Sequence, residues 1–153
     1  GGGGGGGAER LEVARAAGAS RTFNYHEMGN ELAQALKKAG AADFTSIIEA
    51  TGSAKALAAS FELAAARGHI LLIGDYGRTQ LEVPFQRVLH RELEFMASNA
   101  SAGAWPEAVR QATSGHIPLE RLITRVVPAQ EFEAAFALVR DRSASTIKVV
   151  LQW

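Results

Sequence analysis

Apolar and polar positions alternate between two periods along this chain. At residues 8–17 (AERLEVARAA), Leu11, Ala14 and Arg15 recur at helical spacing, and Gly18 supplies the stop. Residues 22–25 predict a short strand. Residues 27–39 predict a second helix with Leu32, Ala35 and Leu36 on one face and Gly40 past its end. Residues 45–50 (TSIIEA) predict a strand closed by Thr51, Gly52 and Ser53, with Ser53 placed to cap a helix over 54–66 whose stripe is Leu57, Phe61 and Ala64. Arg67 and Gly68 end that helix. The run HILLI at 69–73 is almost continuously apolar, as a buried parallel strand should be.

The second half is less regular. Residues 81–83 look extended, and Pro84 can open a short helix through His90. Residues 92–97 alternate as a strand. Pro106 sits in the first turn of a helix over about 105–114, closed by Gly115. Residues 123–127 predict an extended segment. Residues 128–140 predict a helix with Phe132, Ala135, Phe136 and Val139 facing inward, and 147–151 an apolar strand. Strands and helices in alternation with short loops predict one α/β domain: a doubly wound, mostly parallel sheet covered on both faces. Its members include the strands at 45–50, 69–73, 94–97 and 148–151.

Composition narrows the function. The 153 residues carry 16 Lys and Arg against 16 Asp and Glu, so no strongly basic face for a nucleic-acid backbone is expected. Cysteine is absent, which removes disulfides, thiolate metal sites and a Cys nucleophile from this sequence. No apolar run is long enough to span a bilayer, and no basic-then-apolar leader is visible. A cytoplasmic protein is the resulting expectation. Seven of the 16 glycines form the run Gly1–Gly7, and the remainder match ordinary usage of about 7%. That run has no side chains to pack and reads as a linker or unassigned segment, with the domain at 8–153. An extended conformation beside the sheet would mark it as a strand instead. As a phosphate-cradling loop it lacks a preceding strand.

In an open parallel sheet, ligands bind beyond the carboxyl ends of the strands. Three such ends carry small or polar residues: ATGS at 50–53, IGDY at 73–76 and ASNA at 97–100. Small residues there let a flat ligand reach the backbone. Gly52 and Gly74 taken singly are also explained by tight turns alone. Three successive ends of this kind point to a nucleotide site.

From Ala8 to Leu151 the sequence resembles the coenzyme-binding domain of medium-chain, zinc-type alcohol and polyol dehydrogenases, and within them the sorbitol and threonine dehydrogenase branch. The matching pieces occur in order: ERLEVARAAGA, NY, IIEATGSAKAL, ILLIG, RELEFMAS and KVVL. The resemblance implies a Rossmann-like domain that binds NAD or NADP. It implies that Arg10 lies near the adenosine ribose, that Thr51 and Gly52 border the adenine, and that Ile73, Gly74 and Asp75 flank the nicotinamide. Ser98, with the backbone of Ala97 and Asn99, matches the carboxamide edge, and Lys148 matches a cation for the pyrophosphate. Arg10 and Lys148 also have a reading as solvated surface cations, and Ile73 is expected in the core with or without a cofactor.

The departures from the family matter equally. Its first strand, its G-x-G-x-x-G turn and the helix that follows belong before Ala8, and its ribose-binding acid falls at about Gly5. The fold is therefore expected as a doubly wound sheet truncated at its N-terminal strand–helix. The family's zinc ligands and proton relay belong to a separate catalytic domain. Here His26, His69, His90 and His116 are dispersed, with no pair at helical ligand spacing, so neither catalytic nor metal residues are expected within this chain. The expected function is the cofactor half of an NAD(P)-dependent dehydrogenase passing hydride between nicotinamide and a small alcohol or ketone, as a homo-oligomer without nucleic-acid or membrane partners. Two other readings stand beside it: a zinc-independent quinone or enoyl reductase of the same superfamily, and a non-catalytic dimerisation or binding module.

Overall fold

The computed structural model describes residues 2–5, 7–28, 31–141 and 146–153. The chain divides into two compact units. The first comprises Gly1–His26 and Ala104–Trp153, and the second comprises Glu27–Gly103.

In the first unit, β1 (Gly2–Gly5) pairs in parallel with β2 (Arg21–Asn24), in the register Gly2 with Arg21 and Gly5 with Asn24. Helix α1 (Ala8–Ala16) connects them and buries Leu11. The helix closes at Gly18, whose φ of +98° turns the chain so that the Ala19 N–H donates to the Ala14 carbonyl at 2.9 Å. Four of the seven glycines therefore lie extended in a ladder. Later in the chain, α5 (Trp105–Thr113) starts at Pro106, and β6 (Ile123–Pro128) pairs in parallel with β7 (Lys148–Gln152) across α6 (Phe132–Arg140). The inward stripe expected on α6 is corrected: Ala135 alone of its four members is buried, while Phe132, Phe136 and Val139 are exposed. Helical spacing identifies which residues share a face, and Phe132 and Phe136 do meet edge to face at 6.4 Å. Which face is covered depends on what packs there, and a two-stranded ladder offers little surface.

In the second unit, β3 (Phe44–Glu49), β4 (Ala64–Leu72) and β5 (Glu94–Ala97) form one parallel sheet in that order. Ile47, Ile70 and Phe95 stand opposite one another on one face, and Ile48, Leu71 and Met96 on the other. Helix α3 (Ala54–Leu63) covers the first face with Leu57 and Phe61, which join Ala64, Ile70 and Leu93 in the core. Helix α2 (Leu32–Lys38) packs against α3 through Ala33, Ala59 and Leu63. A short helix, α4 (Phe85–His90), follows Pro84 as expected.

Three boundaries differ from the sequence reading. The helix expected over 27–39 starts at Leu32, because Tyr25–Glu27 forms a separate 3-10 turn in which the Asn24 side chain accepts from the His26 N–H at 3.1 Å. The alanine-rich helix expected through residue 66 ends at Leu63. Ala64 is fully buried in the sheet and its carbonyl accepts from the Arg91 guanidinium at 2.6 Å, so tertiary contact overrides alanine's helical preference. The strand at 148–151, expected in one sheet with 45–50, 69–73 and 94–97, pairs instead with β6, and Ile48 and Met96 on the second face of the β3–β5 sheet are exposed. In the doubly wound strand order, the first strand stands between the second and the fourth. Among the described residues no strand pairs with the outer edge of β1 or of β3.

Candidate functional site

The carboxyl ends of β3, β4 and β5 lie at one edge of the second unit's sheet, as parallel strands require. β3 ends in Glu49, whose carbonyl accepts from the N–H groups of Ile73 at 2.9 Å and Gly74 at 3.1 Å. These bonds carry the pairing past the end of β4 and bring the segment after β3 against the segment after β4. The two chains meet there backbone to backbone. Gly52 has φ +67°, and a Cβ on it would lie 2.0 Å from the Asp75 carbonyl oxygen. A Cβ on Gly74 would lie 2.2 Å from the Gly52 nitrogen. Both glycines are thus required by close approach, and the turn at Gly52 also by its left-handed conformation.

The Glu49 side chain turns into this junction and is only 3% exposed. Its Oε1 accepts the Thr51 N–H at 2.7 Å and the Thr51 hydroxyl. Its Oε2 accepts the Gly52 N–H at 3.3 Å and the Tyr76 hydroxyl. Burial by itself would raise the pKa of this carboxyl. The bonds from Thr51 and Tyr76, then from the two backbone amides, outweigh burial and hold it below its ordinary value. Burial raises the Tyr76 phenol well above its ordinary value, and the hydrogen bond to Glu49 and its charge add to this.

Of the residues expected from the sequence, the structure brings Thr51, Gly52, Ile73, Gly74 and Asp75 together at this junction. Asp75 is exposed, and its carboxylate accepts the Gly77 N–H at 2.8 Å. Ile73 is corrected: it is 49% exposed rather than core, because it lies one residue past Leu72, the last residue of β4, where the chain leaves the sheet. Ser98 continues the β4–β5 ladder by donating its N–H to the Leu72 carbonyl at 3.0 Å, and Asn99 accepts the Ala100 N–H at 2.8 Å. Arg10 and Lys148 lie in the first unit. The Arg10 guanidinium donates to the Thr146 carbonyl at 3.1 Å, two residues before Lys148. Lys148 is exposed at the start of β7, where Thr124 accepts from its N–H and donates to its carbonyl.

Glu49 and Tyr76 were missed by the sequence reading. The available signal was a carboxylate at the end of an apolar strand, two residues before Thr51 and Gly52. Small residues and exposed backbone at the three strand ends, with Ile73 as an apolar side chain, suit a flat ring system. Among the described residues no group of three or more His, Cys, Asp or Glu side chains could hold a metal ion, so these residues do not fit zinc.

Comparison with known proteins agrees with this architecture. Residues 5–114 match the family model described as zinc-binding dehydrogenase. The chain belongs to this family, in the part that forms the coenzyme-binding domain of zinc-type alcohol dehydrogenases. An L-arabinitol 4-dehydrogenase from Hypocrea jecorina is 30% identical over 69% of this chain and 28% of its own length. A D-arabitol-phosphate dehydrogenase from Enterococcus avium is 24% identical over 98% of the chain and 42% of its own. Among solved structures, a short chain alcohol dehydrogenase of Escherichia coli complexed with NADH superposes with a TM-score of 0.85 at 27% identity, over 98% of this chain and 43% of that one. L-idonate 5-dehydrogenase of Escherichia coli shares the fold with a TM-score of 0.80 at 21% identity, over 98% of this chain and 42% of its own. The chain thus spans under half the length of the relatives it matches, and its α/β fold is Rossmann-like.

Proposed function

We propose that this chain is the cofactor-binding part of an NAD(P)-dependent, zinc-type polyol or secondary-alcohol dehydrogenase. The observation that carries the reading is the close-packed glycine junction at the carboxyl ends of β3 and β4, where Gly52 meets Gly74 and Asp75. Such a junction keeps bulky side chains away from the strand ends, and a planar ring can lie along the backbone. Ile73 supplies an apolar contact beside it, and Ser98 and Asn99 supply polar atoms at the next strand end. Arg10 and Lys148 are the cations assigned to the ribose and the pyrophosphate. The bound nicotinamide supplies hydride chemistry, and this chain's residues bind and orient it. The polyol dehydrogenases among the relatives support a small polyhydroxy substrate and the zinc-dependent branch over the quinone and enoyl reductases. The same reading makes the intact enzyme a cytoplasmic homo-oligomer without nucleic-acid or membrane partners, in keeping with its balanced charge.

Titration of the purified chain with NADH and with NADPH, followed by nicotinamide fluorescence, tests the proposal. Saturable binding of one or both supports it and also identifies the preferred cofactor. No change with either up to millimolar concentration contradicts it.

A further inference from the structure

The donors of the Thr51–Gly52 turn are already used. The N–H groups of Thr51 and Gly52 and the Thr51 hydroxyl all point at the Glu49 carboxylate, and the same hydroxyl oxygen accepts the Ser53 N–H at 3.1 Å. A turn of successive N–H groups beyond a strand is ordinarily a place where an anion settles. Here a buried carboxylate of the chain occupies that place from beneath. Across the junction the Tyr76 hydroxyl donates to the same carboxylate, and the Tyr76 ring packs on the core formed by Leu57, Phe61 and Ile70. Glu49 therefore ties together three things: the end of β3, the turn after it and the loop after β4.

We propose that Glu49 is the positioning residue of this edge. Its carboxylate sets the Thr51–Gly52 turn against the Gly74–Tyr76 loop, and by taking up the turn's donors it leaves the turn to face an uncharged ring of the ligand rather than a phosphate. This rests on the dinucleotide reading above and adds to it the residue that sets the turn and occupies its donors. Thr51 then contributes its methyl group and backbone carbonyl, and the phosphates must be held elsewhere. A second negative charge brought to the turn would also meet the buried carboxylate directly.

The test compares the wild-type chain with Glu49→Gln and Tyr76→Phe by backbone amide spectra, amide hydrogen exchange and NADH affinity, with inorganic pyrophosphate as a separate probe. In the wild type the Thr51 and Gly52 amide protons resonate downfield and exchange slowly. NADH shifts them and pyrophosphate does not. In Glu49→Gln both protons move upfield, and NADH affinity falls about tenfold, the scale of hydrogen bonds to a charged group. Tyr76→Phe keeps the packed ring and loses about threefold, the scale of one hydrogen bond. It decides the matter if Glu49→Gln fails to fold. Amide positions unmoved in Glu49→Gln, unchanged NADH affinity in both variants, or pyrophosphate shifting the two amides would each overturn the proposal while the dinucleotide reading stands. A wild-type chain that binds no NADH overturns both.

Discussion

Gly74 lies directly against Gly52: a Cβ on Gly74 would sit 2.2 Å from the Gly52 backbone nitrogen and 2.8 Å from a Glu49 carboxylate oxygen. No rotamer change relieves a clash with backbone, so the junction has to open. Gly74→Ala should cost about 1–3 kcal/mol, as overpacking does. Gly52→Ala should cost about 2 kcal/mol or more, because left-handed strain adds to the clash with Asp75. Gly77 also has positive φ but nothing within 4 Å of its Cβ, so Gly77→Ala should cost only about 1 kcal/mol. Urea denaturation of the three variants checks the order. Equal losses at all three sites would show that the close approach carries no weight.

The Glu49–Tyr76 pair should leave a signature in stability against pH. The folded carboxyl titrates below its ordinary value of 4.5. Its contribution is therefore complete above that value and is lost as pH falls through the folded pKa. Tyr76 acts in the opposite sense: its folded pKa lies above the ordinary 10.0, so its contribution is complete below pH 10 and is lost as pH rises further. The difference in unfolding free energy between wild type and Glu49→Gln should shrink below pH 4.5. The difference between wild type and Tyr76→Phe should shrink above pH 10. Differences constant across the whole range would exclude the carboxylate–phenol bond as a contributor.

Lys148 is exposed, so its loss should be felt by ligand and not by fold. Lys148→Ala should weaken dinucleotide binding by about 1.5–3 kcal/mol, the scale of a hydrogen bond to a charged group, with the melting temperature little changed. Calorimetric titration and thermal unfolding on the same samples separate the two effects. Unchanged affinity removes the pyrophosphate assignment.

Much of the order of strands and helices was readable because most strands are short apolar runs and three helices close at a glycine, at Gly18, Gly40 and Gly115. The strand ends at Thr51–Gly52 and Ile73–Gly74 were readable because small residues follow apolar ones. What a local pattern does not contain is the identity of the neighbour. Residues 64–66 look helical until the Arg91 guanidinium reaches the Ala64 carbonyl. Phe132, Phe136 and Val139 form a stripe whose covering surface the helix itself does not specify. Glu49 looks like a solvated strand end, and its role depends on Tyr76, 27 residues away. Gly2–Gly5 carries no side-chain pattern at all, and its strand is defined only by pairing with Arg21–Asn24.

Hydride transfer also requires a polarised alcohol or carbonyl held against the nicotinamide. Ligands for a zinc ion able to do this are not grouped among the described residues. The purified chain should bind zinc below stoichiometry and oxidise no polyol above the buffer blank, by metal analysis and nicotinamide absorbance. Stoichiometric zinc or measurable turnover would reveal a site formed by other residues of this chain.

In the proposed function, the carboxyl edge of β3, β4 and β5 receives the dinucleotide. Backbone amide spectra recorded during an NADH titration test it most directly. Saturable shifts should cluster at Thr51, Gly52, Ile73, Gly74, Asp75, Ser98 and Asn99, with Gly77 and the depression between α2 and α3, lined by Glu31, Ala33, Lys55 and Ala59, unmoved. Shifts centred on that depression, or none at the strand ends at saturating NADH, would contradict it.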